Sequence, residues 1–78
     1  MVDFRYLVNM KIFALRLKEA RMYAGLTQKE MAKELEIPLD TYRNYESIGS
    51  RNCEPDIEML VKIADVLKVS LDYLTGRE

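Results

Sequence analysis

The chain has no histidine and a single cysteine, Cys53. Without imidazole, histidine-based zinc sites and histidine acid–base catalysis are excluded. One cysteine cannot form an internal disulfide or a cysteine zinc cluster, so no metal site is expected. No apolar run exceeds a few residues, so neither a signal peptide nor a membrane span is legible. A soluble cytoplasmic protein with no membrane partner is the expectation. There is no P-loop and no glycine-rich phosphate signature. The plentiful carboxylates fall on helix surfaces, where such groups are usually solvated. An enzyme is not expected, nor is a cofactor. Repeats, low-complexity tracts and linkers are also missing, and no second domain offers a sensor for a small effector.

What is present suits one small domain. Seventy-eight residues bury a modest fraction of their surface, so the core must be compact or completed by a partner. The hydrophobic share, 49%, is too high for a disordered chain. Net charge is −1, without the basic footprint common in nucleic-acid binders. The charge is uneven, however. Residues 1–51 carry nine Lys/Arg and seven Asp/Glu, a net of +2; residues 52–78 carry three and six, a net of −3.

Turn signals divide the chain. Residues 1–9 show an imperfect strand-like alternation of Val2, Phe4, Tyr6 and Val8. They read as an N-terminal extension, either an arm or extra turns on the first helix, ahead of a domain spanning 10–78. From Met10 the apolar positions Met10, Phe13, Leu17, Ala20 and Ala24 follow helical spacing, ended by Gly25. "TQKE" at 27–30 is a capping box, followed by Met31, Ala32 and Leu35 as a buried face. Ile37-Pro38 breaks the chain, and a third helix runs from Leu39 to about Glu46. The stretch "SIGSRNCEP" reads as a loop. Asp56 can cap a fourth helix with Ile57, Leu60, Ala64 and Leu67 inward, and Ser70 a short fifth, ended by Gly76. The expected fold class is all-α.

The second and third helices, joined by about three residues, form a helix-turn-helix candidate. In such a pair the first helix crosses the phosphate backbone and the second enters the major groove. Tyr42 and Tyr45 suit the anchoring edge of the second helix; Asp40, Arg43 and Asn44 suit the edge facing base pairs. Gln28, at the first helical position, can combine its amide with free backbone N–H groups to grip a phosphate. Lys29 is a further phosphate candidate beside it. Arg16 and Lys18 on the first helix could also reach the backbone, while Lys33 balances neighbouring glutamates. Met22 and Met59 read as packing residues, and Cys53 as an incidental loop thiol.

The stretches "GLTQKEMAKEL", "TYRNYE" and "EPDIEMLVKIADVLKVSLDYLTG" resemble the Cro/repressor-type (Xre) helix-turn-helix family from about Met10 to Arg77. The resemblance implies a compact five-helix, lambda-repressor-like DNA-binding domain. It implies a bacterial or phage transcriptional regulator, repressor-like, binding double-stranded DNA as a homodimer. It places Gln28 on a phosphate and Leu39, Asp40, Arg43 and Asn44 on bases. It makes Arg21 and Glu46 a buried salt bridge, and it brings Arg51 and Asn52 towards phosphates. The chain departs from the family where Glu36 replaces a small residue, often glycine, and where Pro38 replaces a capping serine or threonine, which could shift the start of the third helix. The segment between Glu46 and Pro55 is about three residues longer than usual. An alternative on the same fold is a protein-interaction module, or the antitoxin of a toxin–antitoxin pair.

Overall fold

A computed structural model describes residues 4–47 and 55–77, with backbone alone for residues 4–10. Five helices follow in chain order: α1 (Phe4–Tyr23), α2 (Gln28–Leu35), α3 (Leu39–Glu46), α4 (Ile57–Leu67) and α5 (Leu71–Thr75). No strand occurs among the described residues, and the arrangement is the all-α, five-helix, lambda-repressor-like fold.

Local chemistry sets most helix ends. At α2 the Thr27 hydroxyl accepts from the Glu30 backbone N–H at 3.0 Å, while Glu30 Oε1 accepts from the Thr27 N–H at 2.9 Å. Two of the first-turn donors that a helix cannot satisfy internally are thereby paired. Asp56 accepts from the Met59 N–H at 2.8 Å and Ser70 from the Tyr73 N–H at 3.0 Å, starting α4 and α5 in the same way. Gly76 closes α5 in the left-handed region, at φ +84°, and a Cβ there would stand 2.9 Å from Ile12 of α1. Glycine is required at this position both for its backbone angle and for the close approach of α1 and α5.

Helix α3 begins differently. Pro38 occupies the cap position with φ −62° and contributes no side-chain hydrogen bond. The substitution leaves the start of α3 in place, with Leu39 as its first residue. Proline pre-sets the extended approach and its missing N–H is no loss at a helix start. The α2–α3 turn is made by Glu36, which caps α2 in the left-handed region at φ +58°. That backbone angle is why a glycine suits this place and why a glutamate there is strained.

The core gathers one face of every helix. Leu17, Met31, Leu35, Tyr42, Ile63 and Leu74 are its largest fully buried side chains. Helix α3 packs against both α1 and α2; α4 backs α2, and α5 closes against α1 and α4. Phe13, Leu17 and Ala20 form the inner face of α1.

Several sequence expectations are corrected. Helix α1 starts at Phe4, so residues 4–9 are extra turns on the first helix, one of the two readings the sequence left open. Residues 4–8 are helical and not strand-like; extending an existing helix adds one hydrogen bond per residue, whereas a strand here lacks a partner. Ala24 and Met22 are exposed, because the chain leaves the core at the end of α1. On α4 the inner face is Ile63, Ala64 and Leu67, while Ile57 is 78% exposed. It belongs to the first turn, ahead of the part that meets the core. Met59 does pack against the core, as does Leu60.

Candidate nucleic-acid interface

The second half of α3 is tied to α1 and α2 by one carboxylate. Glu46 Oε2 accepts from Arg21 Nε of α1 at 2.7 Å and from the Tyr42 hydroxyl one turn earlier. Its other oxygen accepts from Arg21 Nη2 at 3.3 Å and from Gln28 Nε2 of α2 at 3.2 Å. Arg21 spends a further donor, Nη1, on the Leu26 carbonyl at 2.8 Å. The guanidinium thus joins the end of α1, the α1–α2 turn and α3, while Glu46 brings in α2 through Gln28.

The electrostatics match this geometry. Burial alone pushes the Glu46 carboxyl up, but hydrogen bonds from Arg21, Tyr42 and Gln28 outweigh it and hold the group below its ordinary value. Glu46 in turn raises the Arg21 guanidinium further, against its own burial. The Tyr42 phenol is raised far above the usual range, first by burial and then by the adjacent carboxylate. Tyr42 is therefore a neutral hydrogen-bond donor at neutral pH. Its ring lies edge-on to Tyr45, with centroids 6.4 Å apart. Both tyrosines anchor α3, Tyr42 fully buried and Tyr45 half-buried against the core.

With α3 held on that side, its opposite side is open. Asp40, Arg43, Asn44 and Ser47 are exposed, and Thr41 is half-exposed. Leu39 is less exposed than the other candidates. It lies three residues before Tyr42, shares its face and packs half-buried against the core. Ser47 falls away from the tyrosines as its spacing implies, whereas Thr41 was not among the expected residues, and counting helical angles from a buried Tyr42 would have found it.

The phosphate candidates are placed unequally. Gln28 stands at the start of α2 with one amide N–H on Glu46, and its amide carries a second N–H donor. Lys29 and Lys33 are exposed on α2. Arg16 turns to α5: its Nη1 donates to the Tyr73 carbonyl at 2.6 Å, and its guanidinium carbon lies 4.8 Å from the Tyr73 ring centre. That engagement fastens α1 to α5, away from the α2–α3 surface. Arg51, Asn52 and Cys53 lie outside the described residues. The exposed charges of α2, the turn and α3 are Lys29, Lys33 and Arg43 against Glu30, Glu34, Glu36 and Asp40, three positive and four negative. No described helix is long and apolar enough to cross a membrane.

Comparison with known proteins agrees with this geometry. A family model described as helix-turn-helix matches residues 17–74. The HTH-type transcriptional regulator ImmR of Bacillus subtilis is 44% identical over 63 residues, 81% of this chain and 47% of that protein. An uncharacterized HTH-type transcriptional regulator of the same organism, YqaE, is 46% identical over 67 residues, 86% of this chain and 55% of its own length. The cryptic phage CTXphi transcriptional repressor RstR of Vibrio cholerae is 45% identical over 62 residues, 80% of this chain and 53% of its own length. The chain spans about half the length of the curated relatives it matches. No solved structure matches it. The matched segment contains α2, the Glu36 turn and α3 with the Arg21–Glu46 pair that fixes them, and the chain belongs to the Xre-type helix-turn-helix family.

Proposed function

We infer that the chain is the DNA-binding part of a transcriptional regulator, repressor-like, that reads double-stranded DNA in a sequence-specific way. The observation that carries this reading is the two-sided character of α3: one side is fastened through Tyr42 and Glu46, the other presents Asp40, Arg43, Asn44 and Ser47. A helix fixed in this way enters the major groove without losing its orientation. Helix α2 crosses the backbone, where the second amide N–H of Gln28, its free first-turn N–H groups and the Lys29 ammonium meet phosphates. The names of the relatives point the same way, two being transcriptional regulators and one a repressor.

The active species is a homodimer on two half-sites. A single domain of this size offers a small DNA interface, and doubling it raises affinity and reads symmetric sequence. The near-balanced charge of the α2–α3 surface also suits a protein partner, as in an antitoxin or an interaction module on the same fold.

Selection from a random duplex pool at low salt tests the main reading. The 78-residue chain should enrich one motif. Arg43→Ala should weaken that motif by about 1–3 kcal/mol while changing binding to random duplex less. If the chain enriches no sequence, the proposal fails. If Gln28 and Arg43 substitutions alter a protein complex and leave duplex binding intact, the partner reading replaces it.

A further inference from the structure

The exposed side of α3 has a definite centre. Tyr42, with no exposed surface, marks the inward direction. At about 100° per residue, Asp40 lies about 160° from Tyr42 and Asn44 about 200° from it, so the two straddle the outward direction. Arg43 lies about 100° away, on the flank. Asp40 is exposed and stands in the first turn of α3, the end of a recognition helix that reaches deepest towards base edges. The central side chain at the leading end of this helix is thus a carboxylate.

A carboxylate only accepts hydrogen bonds. In the major groove, guanine offers N7 and O6 and thymine offers O4, all acceptors that repel it. Adenine offers its N6 donor beside the N7 acceptor. Cytosine offers the N4 amino donor with no acceptor of its own on that edge. The phosphates on either side repel the carboxylate too, so Asp40 weakens every register in which it meets the backbone. Such a group adds little to general affinity and much to discrimination, because it makes wrong partners unfavourable.

The geometry points to Asp40 as the specificity-determining residue of α3: its carboxylate accepts from the N4 amino group of a cytosine at one position of each half-site and rejects guanine and thymine there. This rests on the duplex-binding reading above. It differs from the role of Arg43, whose cation attracts phosphate and guanine alike.

The first-turn position gives Asp40 a second, structural effect, since an acidic group there complements the helix dipole where Pro38 supplies no cap. Asp40→Asn and Asp40→Ala separate the two. Asparagine retains an acceptor suited to helix starts and matches adenine by its paired donor and acceptor. Both variants should keep the far-ultraviolet circular dichroism of the parent, the position being exposed.

The experiment is selection of randomised duplex by the 78-residue chain and by each variant, followed by titration on duplexes changed one base pair at a time. The parent chain should require cytosine at one position, with the other bases binding about tenfold more weakly. Asp40→Asn should move that single preference to adenine. Asp40→Ala should abolish it, leave every other position unchanged and bind random duplex more tightly than the parent. If parent and variants select the same base pair at every position, or the Asp40-dependent position of the parent is an A·T pair in either orientation, the assignment to Asp40 is overturned while duplex binding stands. If the parent enriches no sequence, the duplex reading falls and this assignment with it.

Discussion

Glu46 is the residue on which the orientation of α3 turns, because it accepts from Arg21, Tyr42 and Gln28 together. Removing it by Glu46→Ala leaves the Arg21 guanidinium buried without a countercharge. We expect a loss of about 3–5 kcal/mol in urea unfolding, enough to unfold most small domains. Tyr42→Phe keeps the ring in the core and removes one donor to a charged acceptor, so the loss should be smaller, about 1.5–3 kcal/mol. Equal losses for the two would mean that the Arg21 pair adds nothing beyond the phenol contact. The same groups set the pH range. Glu46 titrates in the folded state below its ordinary 4.5, so its contribution is present above pH 4.5 and disappears as pH falls through the folded value. Tyr42 is raised above 10.0, so its contribution is present below pH 10.0 and disappears as pH rises beyond it. Thermal unfolding followed across pH should fall at both ends. Glu46→Gln should flatten the acid limb; an unchanged acid limb would assign that fall to other carboxylates. The resemblance to the Xre family implied the Arg21–Glu46 pair, and the structure adds Tyr42 and Gln28 to it. The Tyr42 contact is an i,i+4 pair within α3 that helical spacing could have shown, whereas the Gln28 contact was not legible because it depends on how α2 and α3 cross.

At the scale of elements, what the sequence disclosed was what short-range chemistry decides. The Thr27–Glu30 box, the Asp56 and Ser70 caps and Gly76 are bonds or backbone angles formed within a few residues, and all are found where spacing puts them. What stayed hidden was which of several apolar residues meets another helix. Ile57 and Leu39 are both apolar first residues of their helices, yet Ile57 is exposed, ahead of the part of α4 that meets the core, while Leu39 shares the face of buried Tyr42 and is packed. The α2–α3 turn offers a direct test of backbone conformation. Glu36 and Lys68 are the non-glycine residues at positive φ among those described, closing α2 and α4 at +58° and +57°. Left-handed geometry is unfavourable by about 1–2 kcal/mol for a residue with a Cβ. Glu36→Gly also removes an ion pair to Lys62 at 3.9 Å, but the Glu36 carboxylate is exposed and such a pair contributes little. The closer bond of Lys62, to the Leu35 carbonyl at 3.1 Å, remains and still caps α2. We therefore expect Glu36→Gly to stabilise the fold by about 1 kcal/mol, seen as a higher urea midpoint with an unchanged slope. A lower midpoint would show that the Glu36 side chain holds the turn by more than its backbone angle.

At the scale of the whole molecule, charge decides how the domain finds its site. The net charge is −1, and the exposed α2–α3 surface offers three cations, Lys29, Lys33 and Arg43, amid four carboxylates. Each phosphate neutralised on duplex DNA contributes about −0.9 to the slope of log affinity against log salt. Three cations per protomer then limit the slope to about −3, and a dimer on two half-sites to about −5. A phosphate contact from Gln28 would carry no charge and would add nothing to it. A domain with so shallow a slope gains little from non-specific attraction, so the proposed discrimination would rest on base contacts and, in the proposed dimer, on pairing two half-sites. Fluorescence anisotropy of the selected duplex at several salt concentrations measures the slope directly. Lys29→Ala should reduce its magnitude by about 1 per protomer if the lysine meets phosphate. A slope twice as steep as expected would place the phosphate contacts on cations outside α2 and α3, with Arg51 in the long segment after α3 the first to substitute. An unchanged slope in Lys29→Ala would leave Lys33, Gln28 and the first-turn N–H groups as the candidates for the grip of α2 on the backbone, and the Gln28–Glu46 bond would then couple any Gln28–phosphate contact directly to α3.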